Sequence, residues 1–243
     1  MSSTPRATRI GMIVPSSNTC LEPQSYRILG DRQDVTIHFT RIPVTRIALD
    51  DSSDKQFDAE VMRDAARLLA TSDVDVIAWN GTSGSWLGVE HDRELVSQIQ
   101  DATGIPATTS TLAYMDAFAS FGTKNISLFT PYTQDVNNKI INAYAGNGIT
   151  TLDDHALGLS DNESFARVTT DEMRPGSLEM AASGSDAIVY LCTNLYGATI
   201  AAEIEERTGV PVLDSVAVTL WHCLKLAKAP LLAPQWGRLL SDS

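Results

Sequence analysis

The sequence predicts an α/β protein in which two parallel sheets, each flanked by helices, form two lobes with a cleft between them. Three observations predict it. A phrase that opens on aspartate and runs through an apolar strand occurs twice, as Asp75-Val-Ile-Ala-Trp-Asn-Gly81-Thr-Ser and as Asp186-Ala-Ile-Val-Tyr-Leu-Cys192-Thr-Asn. Each copy is followed by a helical stretch and a matching tag, Thr103-Gly-Ile-Pro106 and Thr208-Gly-Val-Pro211. Apolar runs rich in β-branched residues alternate with helical periodicity, the pattern of βαβ units whose parallel sheets are covered on both faces.

In chain order, strands are expected at Arg9 to Pro15 and Val35 to Val44, a helix from Phe57 to Thr71, a strand at Val74 to Trp79 and a helix over Leu95 to Thr103. A short strand ending in Ser110 then leads into a helix over Ser110 to Phe121. The second half repeats the plan, with strands at Ile126 to Thr130, Ile149 to Leu157, Ala187 to Leu191 and Val210 to Leu213, and a helix over Ser215 to Ala227. Lys124-Asn-Ile-Ser-Leu-Phe-Thr-Pro131 opens that half as Thr8-Arg-Ile-Gly-Met-Ile-Val-Pro15 opens the first. The right-handed crossover rule then leaves two flavodoxin-like lobes, residues 1–110 plus 216–243 and residues 111–215, with the helices after each tag crossing between them. The pseudo-twofold relation sets Gly81 and Cys192 at equivalent strand ends, facing one another across the cleft.

Composition narrows the function. With 18 Lys and Arg against 30 Asp and Glu, the formal charge of −12 repels phosphate backbones and argues against nucleic-acid binding. No apolar run approaches the roughly 18 residues of a membrane span, and the first residues lack the apolar core of a secretory signal, so a soluble cytoplasmic protein is expected. Cys20, Cys192 and Cys223 suit free thiols better than a disulfide frame. His38, His91, His155 and His222 show no metal-ligand spacing, and no metal is expected. The oligomeric state, including a homo-oligomer, is left open.

Ligands of open parallel sheets bind beyond the carboxyl ends of the strands. Four segments fall there: Pro15 to Cys20, Asn80 to Ser85, Pro131 to Thr133, and Cys192 to Asn194. Thr82 and Ser83 offer hydroxyls and N–H donors able to hold a carboxylate, or else cap the following helix. Cys192 is either a small buried hydrophobe or, with a helix N-terminus behind it lowering its pKa, a proton donor or nucleophile. Tyr132 and Asn18 could donate to a developing oxyanion or serve as turn residues, and Asn162 has the same two readings. Cys223 is expected in the core, Cys20 either beside the cleft in the first strand's exit loop or at a helix start without chemistry, and His38 and Arg41 in structural or solvated positions.

Together these residues resemble the aspartate/glutamate racemase superfamily, in the branch holding maleate cis-trans isomerases and arylmalonate decarboxylases. The resemblance runs from Ile10-Gly-Met-Ile-Val-Pro-Ser-Ser-Asn18 to Gly237-Arg-Leu-Leu. It implies two pseudo-symmetric lobes, no cofactor, no metal, and chemistry on a small carboxylate at the carbon beside the carboxyl group. The racemases and isomerases carry a cysteine on each lobe; the first would fall on Gly81, and the second matches Cys192. Gly81-Thr82-Ser83 with a single matching cysteine resembles the decarboxylases, and implies that Thr82, Ser83, Tyr132 and Cys192 surround the leaving and remaining carboxylates. Asn18 and Asn162 are closer to the isomerases, and Thr193-Asn194 replaces the glycines expected after a decarboxylase cysteine. Ser17, Asn18, Gly81, Asn162, Thr193 and Asn194 are the implied substrate-binding set.

Inverting a carbon requires groups on both of its faces, whereas decarboxylation followed by protonation requires one acid. The leading expectation is therefore a cofactor-independent decarboxylase of a substituted malonate or related small dicarboxylate, with Cys192 protonating an enediolate. The alternatives are a maleate-type isomerase or racemase in which Cys20 or a hydroxyl replaces the missing thiol, and a non-catalytic binder of a small carboxylate.

Overall fold

The computed structural model describes residues 6–44 and 59–241. Among the described residues, eight strands run β1 (Thr8–Pro15), β2 (Val35–Ile42), β3 (Val76–Trp79), β4 (Ala107–Thr109), β5 (Asn125–Thr130), β6 (Thr150–Ala156), β7 (Ala187–Tyr190) and β8 (Val212–Asp214). The helices are α1 (Leu21–Leu29), α2 (Ala59–Ala70), α3 (Gly84–Leu87), α4 (Val89–Thr103), α5 (Ser110–Phe121), α6 (Gln134–Ala145), α7 (Asn162–Phe165), α8 (Thr170–Met180), α9 (Ala201–Thr208) and α10 (Ser215–Leu226). Phe57 and Asp58, at the start of the helix expected from Phe57 to Thr71, lie outside the described residues.

The strands form two sheets of the same order, β2-β1-β3-β4 and β6-β5-β7-β8, parallel throughout. Every residue of β3 and β7 is buried, as strands covered on both faces must be, while the edge strands β2 and β6 are partly open. The repeated sequence phrases acquire physical roles. The leading aspartates clamp strand starts: Asp75 accepts from the Arg9 N–H at 2.8 Å, and Asp186 from the Asn125 N–H at 2.7 Å.

The Thr-Gly-Ile/Val-Pro tag is a helix terminator. Thr103 donates to the Ile99 carbonyl and accepts from the Ile105 N–H, and Thr208 does the same with Ile204 and Val210. Gly104 (φ 71°) and Gly209 (φ 74°) then take the left-handed conformation that frees the chain to turn into β4 and β8. Ser110 and Ser215 open helices rather than end strands, because the residues before them, Thr109 and Asp214, are the N-caps.

The helices after the tags join the two sheets. On α5, the Tyr114 hydroxyl donates to the Tyr190 carbonyl of β7 at 2.8 Å and meets Ser215 Oγ at 3.0 Å. Helix α10 packs on α5, α1 and β3, and Thr219 donates to Ser110 Oγ at 2.8 Å. Strand carboxyl ends of both sheets thereby meet along one seam.

Candidate active site

Gly81 and Cys192 line one narrow cavity in this seam. Its apolar walls are Pro15, Val44, Trp79 and Trp86, and its polar walls are Thr82, Ser83, Tyr132, Asn162 and Thr193. Among the described residues, none of these side chains is ionised at neutral pH, so the donors they offer an anion are neutral. The cavity measures about 20 Å³, room for roughly one water molecule.

Strand β7 ends at Tyr190, and the chain turns so that Cys192 Sγ accepts from the Asn194 N–H at 3.3 Å. Burial pushes the Cys192 thiol up to about 12, against the opposing pull of the Tyr132 hydroxyl and the Asn194 N–H. The expected lowering by a helix N-terminus does not occur. The next α-helix starts only at Ala201, and desolvation of a side chain 2% exposed outweighs the two hydrogen bonds. Cys192 is consequently held as a thiol, with its proton available for donation.

Beside the sulfur, the Tyr132 hydroxyl makes a 2.8 Å hydrogen bond with Thr82 Oγ1. The Tyr132 ring is fixed edge-on by Trp86 (5.6 Å) and Phe165 (5.4 Å), and burial raises its pKa well above the phenolic range, so it remains a donor. Ser83 occupies the N-cap position of α3 without a side-chain capping bond. Its Oγ instead accepts from the Trp79 indole N–H at 3.1 Å, which leaves the Ser83 O–H to donate.

The other polar residues form a hydrogen-bonded belt between the lobes. Asn18 Oδ1 accepts from the N–H groups of Cys20 and Leu21, and its Nδ2 donates to Thr193 Oγ1 at 3.2 Å. Asn194 Oδ1 accepts from Thr19 and Cys20 N–H at 3.0 Å each, while its Nδ2 donates to the Asn162 carbonyl. Asn162 Nδ2 donates to Ser17 Oγ at 2.7 Å, and Ser17 in turn donates to the Val44 carbonyl. Of this belt, Asn162 and Thr193 reach the cavity wall. Arg41 secures the first loop by donating to the Ser16 and Asn18 carbonyls, and His38 bonds Thr36 on the exposed face of β2.

Cys20 and Cys223 are fully buried and lie outside the cavity lining, and burial raises both thiols. Sequence reasoning missed Val44, Trp79 and Trp86 as cavity walls. It also missed Asp214, a fully buried carboxyl whose Oδ1 caps α10 by accepting from Val216 and Ala217 N–H. Its Oδ2 makes no hydrogen bond of ordinary geometry, although the Ala198 N–H lies near enough to favour the charged form. Burial pushes Asp214 up to about 7. An aspartate immediately before a helical run was the available signal.

Two like-ordered parallel sheets meeting at a thiol-bearing seam define the class: the aspartate/glutamate racemase superfamily, in its decarboxylase and maleate isomerase branch. Within it, the arylmalonate decarboxylase model matches residues 10–240, and the chain belongs to that family. The chain is 29% identical to an arylmalonate decarboxylase of Bordetella bronchiseptica over 240 residues, 96% of this chain and 97% of that one. It is 28% identical to a maleate isomerase of Pseudomonas putida over 248 residues, covering 97% and 98%. Among solved structures, it matches a liganded arylmalonate decarboxylase double mutant, in which a glycine is changed to cysteine and a cysteine to serine. That match has a TM-score of 0.86 and 26% identity over 98% of this chain and 100% of that one.

Proposed function

We propose that this chain is a cofactor-independent decarboxylase of a substituted malonate or related small dicarboxylate, with Cys192 as proton donor. The observation that carries the reading is a cavity with one thiol, held protonated, whose pseudo-symmetric counterpart is Gly81. One carboxylate of the substrate lies toward Pro15, Val44, Trp79 and Trp86, where poor solvation favours its loss. The bond between the α-carbon and that carboxyl breaks, CO₂ departs, and the electron pair moves onto the remaining carboxylate as an enediolate. Thr82, Ser83 and Tyr132 donate to the enediolate oxygens. Cys192 S–H then protonates the α-carbon, and the thiolate is reprotonated from solvent.

Gly81, Thr193 and Asn162 shape the walls in this scheme, and Ser17, Asn18 and Asn194 position the loops that carry them. A dicarboxylate is larger than the resting cavity, so binding includes a parting of its walls. Carbon dioxide release from a panel of substituted malonates tests the reading, and lack of turnover across the panel would refute it.

A second reading, cis-trans isomerisation or racemisation of a small carboxylic acid, is favoured by the Asn162 amide at the cavity wall and by the maleate isomerases among the relatives. Incubating chiral substrate in D₂O separates the two: solvent deuterium with inversion, or cis-trans exchange, belongs to the second, and CO₂ release to the first.

A further inference from the structure

The two strand ends of the duplication break symmetry through their last aromatic residues. In the second lobe, the Tyr190 ring lies over Gly197, where an added Cβ would meet Tyr190 Cδ2 at 2.7 Å. Its hydroxyl donates to Ser177 at 2.8 Å, and Cys192 keeps its place on the cavity wall. In the first lobe, the equivalent Trp79 folds the other way. A Cβ at Gly81 would stand 2.3 Å from Trp79 Cζ2, 2.5 Å from Cε2 and 3.0 Å from Cη2, three atoms of one indole. That indole has little freedom to withdraw, being 1% exposed and tied through its N–H to Ser83 Oγ at 3.1 Å.

We propose that Trp79 determines the one-sidedness of proton transfer: its indole occupies the space from which a first-lobe side chain would reach the substrate carbon. This rests on the decarboxylase reading. With the ring against one face of the enediolate and the Cys192 S–H on the other, the carbon receives its proton from one side and the product is a single enantiomer. The glycine at position 81 is then a steric consequence of the tryptophan two residues earlier. Restoring a first-lobe acid or base requires changing both.

The test is a cycle of Gly81→Ala, Gly81→Cys and Trp79→Phe with the two double variants. Phenylalanine keeps an apolar filling but lacks the part of the ring that meets the Cβ. Gly81→Ala and Gly81→Cys are each expected to lower Tm by about 3–10 °C in the wild-type background, and by less than half as much beside Trp79→Phe. In D₂O, the double variant Gly81→Cys with Trp79→Phe is expected to exchange the product α-hydrogen and lose enantiomeric excess at least tenfold faster than Gly81→Cys alone.

Equal Tm losses in both backgrounds would overturn the proposal, as would equally fast exchange in Gly81→Cys alone. If the wild-type protein releases no CO₂ from any malonate, the decarboxylase reading fails by itself, and the Tm cycle still decides whether Trp79 excludes a side chain at position 81. A Gly81 variant that folds only beside Trp79→Phe supports the proposal.

Discussion

Replacing Tyr132 by Phe removes one oxygen from the candidate site and leaves the ring in place against Trp86 and Phe165. The lost hydroxyl is the 2.8 Å partner of Thr82 Oγ1 and one of the two groups that draw the Cys192 thiol downward. Losing a buried hydroxyl pair costs about 1–2 kcal/mol, or about 2–8 °C in Tm for a chain of this size. The effect on turnover is larger. A donor aimed at a developing oxyanion contributes about 10²–10³ in kcat, and the thiol, already near 12, moves further up. Steady-state kinetics on the malonate that the wild-type protein turns over, together with thermal unfolding, should therefore show a Tm drop of a few degrees with a kcat loss of at least about a hundredfold. A kcat within threefold of wild type at the same Tm loss would show that the hydroxyl only fills space, and would refute the oxyanion role.

Cys192→Ala should abolish product formation while Cys20→Ala and Cys223→Ala retain it, since neither of the latter lines the cavity; activity surviving in Cys192→Ala is the contrary result. Asp214 ionises near 7 in the folded chain and near 3.8 in the unfolded one, so the folded state binds the extra proton between those values. Its contribution to stability is intact below about 4 and is lost as pH rises through about 7. Asp214→Asn should thus gain on wild type by up to about 4 kcal/mol between pH 4 and 8 in urea denaturation, and a difference that does not vary with pH would contradict this. Asn194→Ala removes the acceptor of Thr19 and Cys20 N–H and the donor to Asn162, at an expected cost of about 2–4 kcal/mol. A loss below about 0.5 kcal/mol by the same measurement would mean that the belt is replaceable by water.

The duplication made the fold legible. Strands carried β-branched residues, the tags marked the helix ends, and equal spacing put Gly81 and Cys192 at matching positions. Local chemistry was sufficient wherever the partner lay close in sequence, as with Thr103 on Ile99 and Thr208 on Ile204. It was insufficient where burial set the outcome. The sequence pointed to a lowered thiol at Cys192, because a polar strand exit suggests a helix start, but the raised value comes from desolvation by chain segments far away. Ser83 could be placed at a helix start but not against the Trp79 indole, and Asn18 could not be paired with a threonine 175 positions along the chain. Trp79 read as one more apolar strand residue, because nothing in a linear pattern states which way a ring folds.

Because α5 and α10 pack on each other and bond across the seam, neither copy of the repeat is a free-standing module. Severed between the copies, the first piece would keep Tyr114 but lose the carbonyl of Tyr190, and the second would present α10 with nothing of β3 to cover it. The cavity is accordingly a property of the pair. Each copy's helix bears on the other's strand ends, yet the like backbones deliver unlike groups, a sulfur on one bank and a bare backbone on the other.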